Sequence, residues 1–160
     1  MNWAHLHLLS NHIPVLGTLF GLLLLGWGMM RGNASIQRAG LATFFVVALV
    51  AIPVFLTGEP SEDAVEHLAG TAAGAIETHE DAALLSFIGV EVLGVIALLS
   101  FLWRRASLSR FVTRSALVLA IVTAGLMART ANLGGKIRHA ELRGTTAPQQ
   151  ESEERAGGDR

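Results

Sequence analysis

Four long apolar stretches follow one another along the chain. They run over about 13–30 (IPVLGTLFGLLLLGWGMM), 40–57 (GLATFFVVALVAIPVFLT), 82–103 (AALLSFIGVEVLGVIALLSFLW) and 115–133 (SALVLAIVTAGLMARTANL). A helix that crosses the hydrocarbon core of a bilayer needs roughly 20 mostly apolar residues. Each stretch reaches or nearly reaches that length. No alternation of period two is present, which argues against a membrane barrel. The pattern predicts an all-α fold, an integral membrane antiparallel four-helix bundle, because short joints make successive helices run in opposite directions. The helical domain covers 1–143, and the polar tail 144–160 reads as disordered.

Composition sharpens this. Only 16 % of the residues are charged, against about 25 % in a soluble domain. There is no cysteine, so disulfides, thiolate zinc, iron–sulfur ligation and covalently attached haem are excluded. The formal net charge of −1 excludes an electrostatic nucleic-acid binder. No Lys or Arg precedes Arg31. The first stretch therefore lacks the basic region of a signal peptide and reads as a retained helix.

The charge is unevenly placed. Arg31 and Arg38 occupy the first joint, and Arg104, Arg105, Arg110 and Arg114 the third, with no acid in either. The second joint, about 58–81, holds Glu59, Glu62, Asp63, Glu66, Glu77, Glu80 and Asp81 and no basic residue. The positive-inside rule puts the arginine joints in the cytoplasm and both termini and the acidic joint outside, as in a bacterial inner-membrane protein. Lys136, Arg138 and Arg143 beyond the fourth span lessen that bias. Ser61 is placed to cap a helix in the acidic joint, with Ala64, Val65, Leu68, Ala72 and Ile76 on one side. Gly70 and Gly74 would interrupt it, and IETHEDAA leads into the third span. Gly17, Gly21 and Gly28 form a small-residue face that lets helices approach closely, within the bundle or across a homodimer.

All six histidines fall on the outward side: His5, His7, His12, His67, His79 and His139. His12, His79 and His139 sit at the outer mouths of three different spans and are expected to share a depth. Imidazole is the commonest nitrogen ligand for transition metals and an axial ligand of haem. His7, His12, His79 and His139 are the candidate haem b ligands. His12, His79 and His139 with Glu80 are the candidate site for a metal ion such as zinc or copper. The plain alternative is that interfacial histidines only bind backbone or water, and His5 and His67 are read that way.

Two charged residues lie inside spans. Glu91 is near the middle of the third, where a charge costs at least about 2.5–3.5 kcal/mol on insertion scales. Its carboxyl is expected to carry a proton or to find a cation. Arg129, in the fourth span, is expected to lie about 6–8 Å shallower. The plain expectation is a Glu91–Arg129 pair. The sharper ones are a proton relay through Glu91, or Arg129 binding a haem propionate. Glu80, Leu84, Phe87 and Glu91 share one helical face that leads from surface to midplane.

The opening HLHLLSNHIPVLG resembles that of the four-span bacterial membrane proteins catalogued as domain of unknown function 2231, through His7, His12, Pro14 and Gly17. That family's fourth span ends in a glycine pair followed by a histidine, matched here by Gly134, Gly135 and His139. LTGEPSEDAVEH…IETHEDAA also resembles the outer joint of a subgroup, and the likeness covers about 5–140. This chain departs from the family at Leu8, where proline is usual, and at Ile13, where an aromatic residue often stands. Some relatives are joined to Rieske-type iron–sulfur modules, so the resemblance implies a place in membrane electron transfer.

Three functions follow. The first is a redox-associated subunit, with respiratory or other redox proteins as partners. The second is a cofactor-free accessory subunit of a larger membrane complex. The third, a proton or ion transporter, is weakened by the absence of an evident inverted repeat. No GxSxG, P-loop, dinucleotide-binding fingerprint or HExxH occurs, so no enzymatic activity is assigned.

Overall fold

The computed structural model describes residues 3–58, 61, 73–102 and 110–138. Helices α1 (Trp3–Ser10) and α2 (His12–Met30) run on as one rod. Asn11 between them keeps helical dihedrals, φ −62° and ψ −22°, and its N–H donates to the His7 carbonyl at 2.9 Å. Helices α3 (Ala34–Leu56), α4 (Ala73–Leu102) and α5 (Arg110–Arg138) follow. No strand occurs among the described residues. Four segments, His7–Met30, Ala34–Leu56, Ile76–Leu102 and Arg110–Lys136, are long and apolar enough to cross a membrane. The chain is an all-α, multi-pass membrane protein with a four-helix bundle fold.

Its surface has the polarity that lipid demands. Leu16, Leu19, Phe20, Leu23 and Trp27 on α2, and Val118, Ile121 and Val122 on α5, are exposed. Inside lipid every backbone group must bond within its own segment, so unbroken helices are the low-energy solution. The ends are sealed locally. Gly32 takes φ +63° at the end of α2, and its N–H donates to the Met29 carbonyl at 3.2 Å. A side chain is strained at that φ, and glycine is not. Asn33 then caps α3, its side chain accepting from the N–H groups of Ser35 and Ile36.

The four rods form a ring, with α2 against α3, α3 against α4, α4 against α5, and α5 closing on α2. The glycine face of α2 is consumed inside this ring. A Cβ at Gly17 would meet Val47, one at Gly21 would meet the Phe44 ring, and one at Gly28 would lie 2.6 Å from the Gln37 backbone nitrogen. Reciprocally, a Cβ at Gly40 would lie 2.7 Å from the Leu25 nitrogen. Two buried layers fill the interior. One is built on Leu25, Leu41, Phe44, Leu93 and Ala97, the other on Val47, Ala51, Val90 and Met127.

The two hairpins repeat one spacing. Gly17 follows His7 by ten residues, and Gly89 follows His79 by ten. Gly17 meets Val47, and Gly89 meets Thr123. His7 bonds to the Val54 carbonyl and His79 to the Thr130 carbonyl, each seven residues beyond those contacts. Both hairpins enter from the same end of the bundle, as in parallel rather than inverted repeats.

Some expectations shift. The spans are longer than their apolar windows. α3 begins before Gly40, and α5 takes in Arg110 and Arg114. α4 starts at Ala73, so Gly74 lies inside a helix rather than interrupting one. Ser61 does not cap a new helix, because its hydroxyl donates back to the Thr57 carbonyl four residues earlier. The rest of the acidic-joint helix and the tail lie outside the described residues.

Candidate functional site

The site grows from the phase of two helices. The buried positions of α2 are Pro14, Thr18, Gly21, Leu25 and Gly28. His7 lies seven residues before Pro14 and so falls on that same stripe. On α4 the buried residues Ser86, Val90, Leu93 and Ala97 define the stripe, and His79 lies seven residues before Ser86. Both histidines are half-buried. Their rings meet at one end of the bundle, near enough for the charge of one to act on the other.

Each ring is anchored to the other helix of its own hairpin. His7 Nδ1 lies 3.1 Å from the Val54 carbonyl and 3.2 Å from the Thr57 hydroxyl. Val54 is in the last turn of α3, where carbonyls lack helical partners. Thr57 donates its own hydroxyl hydrogen to the Val54 carbonyl at 2.8 Å, so its oxygen is left to accept from the ring. His79 Nδ1 lies 3.1 Å from the Thr130 carbonyl. The Thr130 hydroxyl is in turn 2.9 Å from that of Ser86, one turn below the ring's own level. A carbonyl oxygen can only accept, so Nδ1 carries the hydrogen in both rings. In the neutral rings Nε2 is then the atom with the free lone pair, the state in which imidazole ligates.

Glycine makes room for this. A Cβ at Gly134 would lie 3.1 Å from His79 Cε1, tighter than ordinary contact. Gly58 is looser, with its Cβ position 3.8 Å from His7 Cε1.

The remaining candidates fall elsewhere. His12 is exposed, and its Nδ1 lies 3.1 Å from the Leu8 carbonyl of its own rod. Five residues of helix turn it about 140° away from His7, so the two cannot face one site. Glu80 is exposed at the rim, close enough to act on His79 by its charge. His5 is exposed. His67 and His139 lie outside the described residues. Among the described residues no group of three or more His, Asp or Glu side chains could hold a metal ion. The pairing expected of Glu91 is not made. Arg129 is exposed, while Glu91 Oε1 is buried with no hydrogen-bond partner. The stripe from Glu80 to Glu91 is crossed by Phe87, whose ring stacks on Phe55 at 4.4 Å between centroids.

Val54, Thr57, Ser86 and Thr130 were not singled out from the sequence. Heptad phase identifies both histidines. The carbonyl anchors have no sequence signal beyond the glycine that follows Thr130 by four residues.

No protein-family model, curated protein or solved structure matches this chain.

Proposed function

We propose that this protein is a redox-associated membrane subunit whose outward end binds a haem b, or a metal ion, between His7 and His79. The observation that carries the reading is the matched anchoring of the two rings. Imidazoles from two hairpins meet at one end of the bundle, each with Nδ1–H held by a backbone carbonyl. Such an outer hydrogen bond fixes the ring's orientation and raises the basicity of the ligating nitrogen. Two imidazoles are the axial set of a six-coordinate haem, whereas structural zinc takes four ligands. The donor set therefore fits haem b better than zinc. Haem held there would supply a one-electron centre. Val54, Thr57 and Thr130 orient the rings, Gly134 admits the second ring, and the exposed Glu80 and Arg129 flank the mouth.

The arginine joints face the cytoplasm, and the termini and the histidine site face outward across a bacterial inner membrane. The resemblance to domain of unknown function 2231, some of whose members are joined to Rieske-type modules, supports a redox partner on that side. A second reading rests on the same bonds. The two histidines staple their hairpins closed in a cofactor-free accessory subunit. An optical spectrum of the purified, dithionite-reduced protein, with metal analysis, separates the two. Haem absorbance lost in His7→Ala and in His79→Ala supports the first. Colourless, metal-free protein that loses only stability in those variants supports the second.

A further inference from the structure

Three buried side-chain polar atoms have no hydrogen-bond partner among the described residues: Thr18 Oγ1, Glu91 Oε1 and Thr123 Oγ1. They lie on three different helices and at one depth. Thr18 is eleven residues into the bundle from His7, and Glu91 twelve from His79. At helical rise both are about 16–18 Å below the histidine pair. Thr123 packs on Gly89, half a turn from Glu91 along α4. From the Gly26–Leu117 contact, six residues outward along these two antiparallel helices put Thr123 opposite residue 20, two residues from Thr18.

The hydroxyls elsewhere in these helices behave differently. Thr43, Ser86, Ser100 and Thr130 all donate to the carbonyl four residues earlier in their own helix. Thr18 and Thr123 are both 0 % exposed and forgo that bond. A hydroxyl in an apolar interior gives up an available carbonyl only when another partner competes for it.

No charged group supplies that partner. Between His12 and Arg31, Arg38 and Glu59, Asp81 and Arg104, and Arg114 and Arg129 the only titratable residue is Glu91. Arg129 itself is exposed. The wall around this level is made of Val47, Ala48, Ala51 and Val90, with Gly89 and Gly94 adding no side chain. The missing partner must both donate and accept hydrogen bonds, be small, and bear no compensating positive side chain. Water has these properties.

We infer that the centre of the bundle is a hydrated proton-binding site, in which water hydrogen-bonded to Thr18 and Thr123 reaches the carboxyl of Glu91. The inference is independent of what the histidines hold. The valines of the repeat make the test sterically mild. Val90 stands eleven residues after His79, where Thr18 stands after His7, and Val47 occupies the position of Thr123.

Water-edited solid-state NMR of the unaltered protein in lipid vesicles gives the first readout. Magnetisation from water is expected to reach the Thr18 and Thr123 methyl groups several-fold sooner than Leu25 and Leu41 in the dry layer below. Equal build-up at all four overturns the proposal. Infrared spectroscopy gives the second. A carboxylic C=O band that vanishes in Glu91→Gln should shift within minutes of transfer to D2O. It should move to higher wavenumber in Thr18→Val and in Thr123→Val, and stay in place in the corresponding Ser variants. A folded protein with no Glu91-dependent band, or with a band indifferent to D2O and to both Val variants, also overturns it.

Discussion

The two hairpins are built to one plan and furnished differently. Each carries an entering histidine, a glycine ten residues on, and a returning helix whose carbonyl receives the ring. In the first hairpin the ring rests at a helix terminus, where Val54 and Thr57 are free to accept. In the second it lies against the interior of α5, on a carbonyl already inside a helix, and needs Gly134 to lie down. The second hairpin adds the Ser86–Thr130 hydroxyl pair and places Glu91 where the first has Leu19. Leu19 is 46 % exposed to the surroundings. The shared plan therefore concerns the rim, and the difference concerns polarity beneath it. Ligation needs two equivalent arms, whereas a carboxyl and its water need only one.

The strongest test of the plan is removal of an arm. If the two rings ligate as equals, His7→Ala and His79→Ala should each abolish stoichiometric haem in the purified protein, read from the reduced spectrum. Retention of the cofactor by one variant breaks the equivalence. Next comes the helix contact behind the first arm. Gly40→Ala pushes a methyl group onto the backbone of Leu25. Overpacking of this kind should cost about 1–3 kcal/mol in detergent unfolding, while Gly89→Ala meets only the side chain of Thr123 and should cost less. The comparison sharpens further with the anchors. Thr57→Val and Ser86→Ala each remove one side-chain hydrogen bond, with an expected loss of about 0.5–1.5 kcal/mol. Ser86→Ala should perturb the His79 ring alone, visible as a shift of one imidazole resonance pair in NMR. The smallest effect is a control. A Cβ at Gly125 meets nothing within 4 Å, so Gly125→Ala should leave cofactor content unchanged and gain about 0.5–1 kcal/mol of helix stability at most.

Much of the fold was legible in the sequence. The apolar stretches located all four rods, and the absence of charge inside them fixed their environment. The ends were misjudged because an apolar window measures hydrocarbon thickness, whereas helical hydrogen bonding continues past it. Arg110 and Arg114 are polar yet helical for that reason. The candidate site was legible only in part. Outward clustering of histidines singled out His7 and His79, but also His12, which faces away. Equal depth had been taken as the criterion, and depth is only one of two coordinates on a helix. The other is the angle around it, which the heptad relation of His7 to Pro14 and of His79 to Ser86 already encoded. The Glu91–Arg129 pair failed on the same coordinate.

Length and hydropathy along one dimension determined that this chain makes four lipid-crossing helices, because a bilayer prices every exposed peptide group regardless of neighbours. Which side chains meet was decided only in three dimensions. Hydrogen bonds from His7 to α3 and from His79 to α5, and the isolation of Thr18, Glu91 and Thr123 at a common level, depend on how the rods rotate and cross. Those rotations are set by close contact at Gly17, Gly21, Gly40 and Gly89, a property of paired surfaces rather than of any single segment.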